Sequence, residues 1–187
     1  MFKRIITTTS LVLVCASASA AIDVSGVEVP EQVTLNNSAM VLNGAGVRSK
    51  FFIDLYVGSL FTTTTSTDAQ QIINSESPTA IRLNITSDMI TSEKMIDALD
   101  EGFERATNGK TEAIDDSIKS LIHSFSAPIK DGDQFTLMSV PGEGVISYKN
   151  GKQLAVISGD DFRKAVLSVW LGKKPTDKGL KKSMLKG

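Results

Sequence analysis

A chain of 187 residues, 41% of them hydrophobic, has the size and make-up of one globular domain. Its 20 basic and 21 acidic side chains nearly cancel, so it lacks the basic footprint that nucleic-acid binding requires. A single cysteine and a single histidine leave no thiolate or imidazole set for zinc, and neither a metal nor another cofactor is expected.

The chain begins Met1-Phe2-Lys3-Arg4, continues through a short apolar run, residues 5–14, interrupted by Thr7 to Ser10, and reaches Cys15-Ala16-Ser17-Ala18-Ser19-Ala20-Ala21. That is the order of a basic n-region, an h-region and a small-residue cleavage site. The run falls well short of the about 20 apolar residues of a spanning helix. A lipoprotein anchor at Cys15 is disfavoured because Val14 is bulky where such sites want a small residue. Residues 1–20 are therefore expected to be a cleaved signal peptide, and residues 21–187 one periplasmic or secreted domain. Cys15 is the only cysteine, so the mature domain has no disulfide and depends on packing. Removing Lys3 and Arg4 leaves 18 basic residues against 21 acidic ones, a balance of −3. The lysine-rich stretch 173–186 reads as a solvated helix face.

Residues 27–35 alternate polar and apolar side chains around Pro30, as an edge or opening strand does, and Asn36-Asn37-Ser38 ends it. Met40-Val41-Leu42 leads to the Gly44-Ala45-Gly46 turn and Arg48. Phe51-Phe52-Ile53-Asp54-Leu55-Tyr56-Val57-Gly58-Ser59-Leu60-Phe61 then predicts a long strand covered on both faces. Residues 68–75 suit a short helix and 80–85 a strand. Over 92–107, Met95, Leu99, Phe103 and Ala106 form one helical stripe and Lys94, Asp97, Glu101 and Glu104 another. A helix over 112–125 carries Ile114, Ile118, Leu121 and Phe125, with Pro128 beyond its end. Asn150-Gly151 between two alternating runs predicts a two-residue hairpin over 145–157. Asp160 then stands as the cap of a helix with Phe162, Val166, Val169 and Trp170 inward, Gly172 as its stop and Pro175 beyond. A short helix over 178–185 follows. Long strands with helices bunched between them indicate an α+β fold, a large antiparallel sheet with helices packed on it.

Few residues suggest chemistry. The acid pairs Asp115-Asp116 and Asp160-Asp161 sit at helix starts, where carboxylates favour the macrodipole. His123 has no nucleophile elbow to serve, and Gly44-Ala45-Gly46 lacks the further residues of a nucleotide loop. Arg48 differs: its guanidinium enters an apolar strand, where burial is costly without an anion. Water or Asp54 would satisfy it otherwise.

Leu42-Asn43-Gly44-Ala45-Gly46-Val47-Arg48 with the strand after it resembles the glycine-turn, arginine and long-strand signature of the chalcone isomerases. Val166-Leu167-Ser168-Val169-Trp170-Leu171-Gly172 and the residues after it are similar to that family's C-terminal helices, and the intervening helix and hairpin fall in the family's order. The nearest likeness is to its bacterial exported members. The resemblance implies an open-faced β-sandwich with a ligand cleft between sheet and helices, and a history that includes both flavonoid isomerases and fatty-acid-binding proteins. Arg48 matches the family's substrate-positioning arginine. The enzyme's strand threonine falls near Leu55, its helix tyrosine and asparagine near Lys94 and Glu101, and its last hydroxyl near Val169, so those polar partners are absent.

Two functions follow. In the first, the domain binds a small amphiphilic carboxylate such as a fatty acid, with Arg48, and Tyr56 as second donor, at the head and Leu55 and Val169 among the lining. In the second, it is an isomerase or intramolecular lyase on an unsaturated carbonyl compound other than chalcone, with Arg48 as electrophile and Lys94 or Glu101 as acid or base. An envelope protein with an empty cleft is a third possibility. Binding is preferred, because one cation holds an anion whereas proton transfer needs a second positioned group.

Overall fold

The computed structural model describes residues 20–187, so the expected signal peptide lies, but for Ala20, outside the described residues. A hairpin of β1 (Ala21–Val24) and β2 (Val27–Pro30) precedes a seven-stranded sheet of β3 (Gln32–Leu35), β4 (Ser38–Lys50), β5 (Ile53–Thr62), β6 (Thr79–Ile85), β7 (Gln134–Val140), β8 (Gly144–Lys149) and β9 (Lys152–Ser158). The seven strands lie in chain order, each antiparallel to the next. Helix α1 (Ala69–Ile73) is inserted between β5 and β6, and α2 (Ser92–Thr107) and α3 (Asp115–His123) between β6 and β7. Helices α4 (Asp160–Leu171) and α5 (Lys178–Met184) follow the sheet.

Alternation along the strands divides the core in two. On β6, Ile81, Leu83 and Ile85 point to the helices, and Ala80 points to the opposite face. The helix side gathers Leu99 and Phe103 of α2, Leu121 of α3, Phe162 and Trp170 of α4 and Leu180 of α5. The other side packs Val57, Phe61, Met138 and Ile146 against Val29 of β2. The fold is thus α+β, a curled antiparallel sheet with all its helices on one side, as expected. Caps set helix starts: the Asp68 carboxylate accepts from the Gln70 and Gln71 amides, Thr91 Oγ1 from the Lys94 amide and Asp177 from the Leu180 amide. None of the helices among the described residues is long and apolar enough to cross a membrane.

Several expectations need correction. The glycines at 44 and 46 make no turn and lie within β4, because helix α5 crosses them closely. A Cβ on Gly44 would sit on the Ser183 carbonyl oxygen, and one on Gly46 would lie 2.5 Å from Ser183 Cβ. Strand β5 starts at Ile53, since Phe51 and Phe52 are the hairpin turn, with φ of 52° and 65°. Residues 27–35 divide at Glu31 into strands of different sheets, and β1 and β7 were not foreseen. Helix α4 is capped by Gly159, without a side-chain bond. Asp160 instead accepts from Arg163 Nε at 2.7 Å and pairs with Lys164 at 2.9 Å. Arg163 is fully buried and donates from Nη1 to the Ser75 carbonyl oxygen at 3.3 Å, fastening α4 to the end of α1.

Candidate functional site

Strands β4 and β5 set Arg48 directly opposite Tyr56, so both side chains project from the helix side of the sheet. Beyond this pair the register shifts between Arg48 and Ser49. The shift carries the next acid away. Asp54, now the register partner of Ser49, accepts from Ser49 Oγ at 2.7 Å and Ser25 Oγ at 3.1 Å. Among the described residues, no carboxylate lies within 4.0 Å of the Arg48 guanidinium.

Arg48 is half-buried, and its guanidinium carbon stands 5.6 Å from the Tyr56 ring centre. Its Nη1 makes a long contact of 3.5 Å to the Tyr56 hydroxyl oxygen, which also accepts from Trp170 Nε1 at 3.1 Å. A phenol has two acceptor lone pairs and one donor proton. With two N–H groups directed at its oxygen, Tyr56 has its own proton left to give. The pair therefore offers a cation and a hydroxyl donor side by side, with the phenol held in place by Trp170.

These groups head a cleft of about 410 Å³, within the range of about 300–1,000 Å³ common for small-ligand sites. Leu55 and Ile53 of β5 form one wall, and Ile90, Met95 and Ala98, before and along α2, form the other. Lys94, Asp97 and Glu101 mark its polar rim. Of the residues singled out from sequence, Arg48, Leu55, Tyr56, Lys94 and Glu101 all line this one cleft. Val169 does not. It is buried between α4 and α2, where a Cβ on Gly102 would meet its Cγ1 at 2.7 Å.

The candidate acid and base are engaged elsewhere. Lys94 Nζ donates to the Met89 carbonyl oxygen at 3.0 Å, and Glu101 pairs with Arg105 of the next turn at 3.2 Å. Both are exposed. Trp170 was legible only as an inward-facing residue, and Met89 and Ile90 lie in a non-periodic stretch that gives no sequence signal. Arg82 makes a useful contrast. It sits on the opposite face over the Phe61 ring, donates to Thr136 Oγ1 at 3.3 Å, and burial pushes its pKa down, yet it borders no part of this cleft.

No curated protein matches the chain in sequence. Among solved structures, it is similar to the crystal structure of an Arabidopsis thaliana fatty-acid binding protein, with a TM-score of 0.70 and 16% identity, covering 86% of this chain and 92% of that one. Identity so low makes that a likeness of fold. In sequence, the model of the family described as chalcone isomerase-like matches residues 21–186, nearly the whole described fold. From Ala21 to Lys186, this chain belongs to the chalcone isomerase-like family.

Proposed function

We propose that the cleft binds a small amphiphilic carboxylate, such as a fatty acid, with its head group on Arg48 and Tyr56 and its tail between Leu55 and Met95. The observation that carries this reading is a half-buried guanidinium without an acid partner among the described residues, paired with a phenol at the head of an apolar-walled cleft. A carboxylate would accept from both groups and neutralise the charge. Each methylene taken from water would add about 0.8 kcal/mol, so the tail would supply most of the affinity. The fatty-acid binding protein with which this chain shares a fold lends support. We also propose that residues 1–20 direct export and that the domain works in the periplasm or outside the cell.

An isomerase or lyase has less support. Proton transfer needs a second group poised at the substrate, and Lys94 and Glu101 are occupied by Met89 and Arg105 at an exposed rim. Mass spectrometry of protein purified from its producing cells tests the binding reading. A fatty carboxylate should accompany the wild type and be missing from Arg48→Ala. An empty wild type would contradict it.

A further inference from the structure

Four hairpins of this fold close with two residues: Ser25-Gly26 after Val24, Asn36-Asn37 after Leu35, Phe51-Phe52 after Lys50 and Asn150-Gly151 after Lys149. In all four, both turn residues have positive φ: 54° and 81°, 44° and 60°, 52° and 65°, 50° and 78°. Such turns match the twist of the flanking strands, and they favour asparagine and glycine, which reach this conformation at least steric cost. Two of the tips comply at both positions, and a third, Ser25-Gly26, at its glycine. The fourth places two phenylalanines where a bulky side chain is disfavoured.

Among the described residues, no core packing compensates for that choice. Phe51 is 83% exposed and Phe52 is fully exposed, and neither belongs to either core. Strain and apolar exposure at one tip point to a partner that meets the tip from outside. The surroundings indicate its chemistry. Exposed Ile53 and Met89 stand on the same rim, and Phe51, Ile53 and Met89 border the mouth of the cleft. Lys50 lies with its ammonium 5.7 Å from the Phe51 ring centre, and Lys94 is tied to the Met89 carbonyl oxygen. The nearest acid on β5, Asp54, is bonded to two serines, and Asp97 and Glu101 lie one and two turns further along α2. A protein partner would need about 800 Å² on each side, whereas the exposed large apolar side chains here, among the described residues, are Phe51, Phe52, Ile53 and Met89 alone. Two protruding rings with lysines behind them fit a lipid surface, where rings enter the acyl boundary and ammonium groups meet phosphates.

We propose that the Phe51-Phe52 tip docks the mouth of the cleft on the surface of a lipid bilayer. Docking extends the proposed binding of an amphiphile, for which the bilayer is the natural reservoir, and it stands on separate observations.

The test is flotation of the chain from Ala21 onward, which contains both cores, with vesicles of phosphatidylethanolamine carrying phosphatidylglycerol as the minor component. The wild type should rise with the vesicles. The double variant Phe51→Asn, Phe52→Gly restores the turn chemistry used at the other tips. It should partition about tenfold less or weaker still while melting no lower than the wild type. A wild type that stays behind, a variant that floats equally well, or a wild-type dimer on gel filtration that the variant abolishes would overturn the proposal. Titrating the wild type with dodecanoate separates the two readings. Flotation without dodecanoate binding upholds docking and sinks the cleft's proposed ligand; dodecanoate binding without flotation does the reverse.

Discussion

Tyr56 takes part in both stability and recognition, and its substitution shows how the two separate. Tyr56→Phe removes from the proposed head-group site a donor to an ionised carboxylate, a bond worth about 1.5–3 kcal/mol, or roughly a tenfold to hundredfold loss of fatty-acid affinity. It also leaves Trp170 Nε1 buried without its acceptor, a cost of about 1–3 kcal/mol that lowers the melting temperature. Calorimetric titration and a thermal melt read these losses independently. At the same scale, chalcone added to the protein should keep its absorbance, since Lys94 and Glu101 are committed elsewhere; rapid conversion would revive the enzyme reading. Arg48 and Tyr56 were legible in the sequence because a charge and a phenol interrupt an apolar strand region. Val169 was placed by the position of the family's last hydroxyl, which fixes a place along α4 but not the neighbour met there, and that neighbour is Gly102 of α2.

Among the elements, the junction of α5 with β4 and β5 shows why a glycine pattern was misread. Glycine serves positive φ and close approach alike, and only the helix lying over the strands distinguishes the two. Gly46→Ala must push Ser183 aside, and Gly58→Ala would meet the Met184 methyl at 2.8 Å. Overpacking of this kind costs about 1–3 kcal/mol. Denaturant melts should show that loss at Gly46, whereas alanine at a mere loop glycine with ordinary φ would change little. The Asn150-Gly151 hairpin and the stripe of α2 were legible because their signals are local. The division of residues 27–35 at Glu31 was not, since it depends on which sheet each half joins.

For the whole molecule, antiparallel strands with helices bunched between them were enough to give the fold class. The outer hairpin and β7 escaped, because short runs become strands only when partners are present. Charge placement governs how this fold responds to acid. Hydrogen bonds from Arg163 and then Lys164 hold the Asp160 carboxyl well below its usual range. Burial works to raise Asp133, but bonds from the Lys149 and Asn150 side chains and the Lys130 amide outweigh it and leave the carboxyl lowered. A carboxyl depressed on folding stabilises fully above its unfolded value of about 3.9 and loses that contribution as pH falls through the folded value. Asp100, raised by burial and then by Asp97, acts in the opposite sense. Melting temperature should therefore hold or rise slightly down to about pH 4 and then fall. Asp160→Asn should melt lower at neutral pH and show a shallower acid fall.

Calorimetric titration of the chain from Ala21 onward with dodecanoate, wild type beside Arg48→Gln, addresses the role of Arg48 directly. The wild type should bind one molecule per chain, and loss of a charge-assisted bond worth about 1.5–3 kcal/mol should weaken the variant roughly tenfold to a hundredfold. Equal affinity in the two proteins, or no binding by the wild type, would contradict a cleft headed by Arg48.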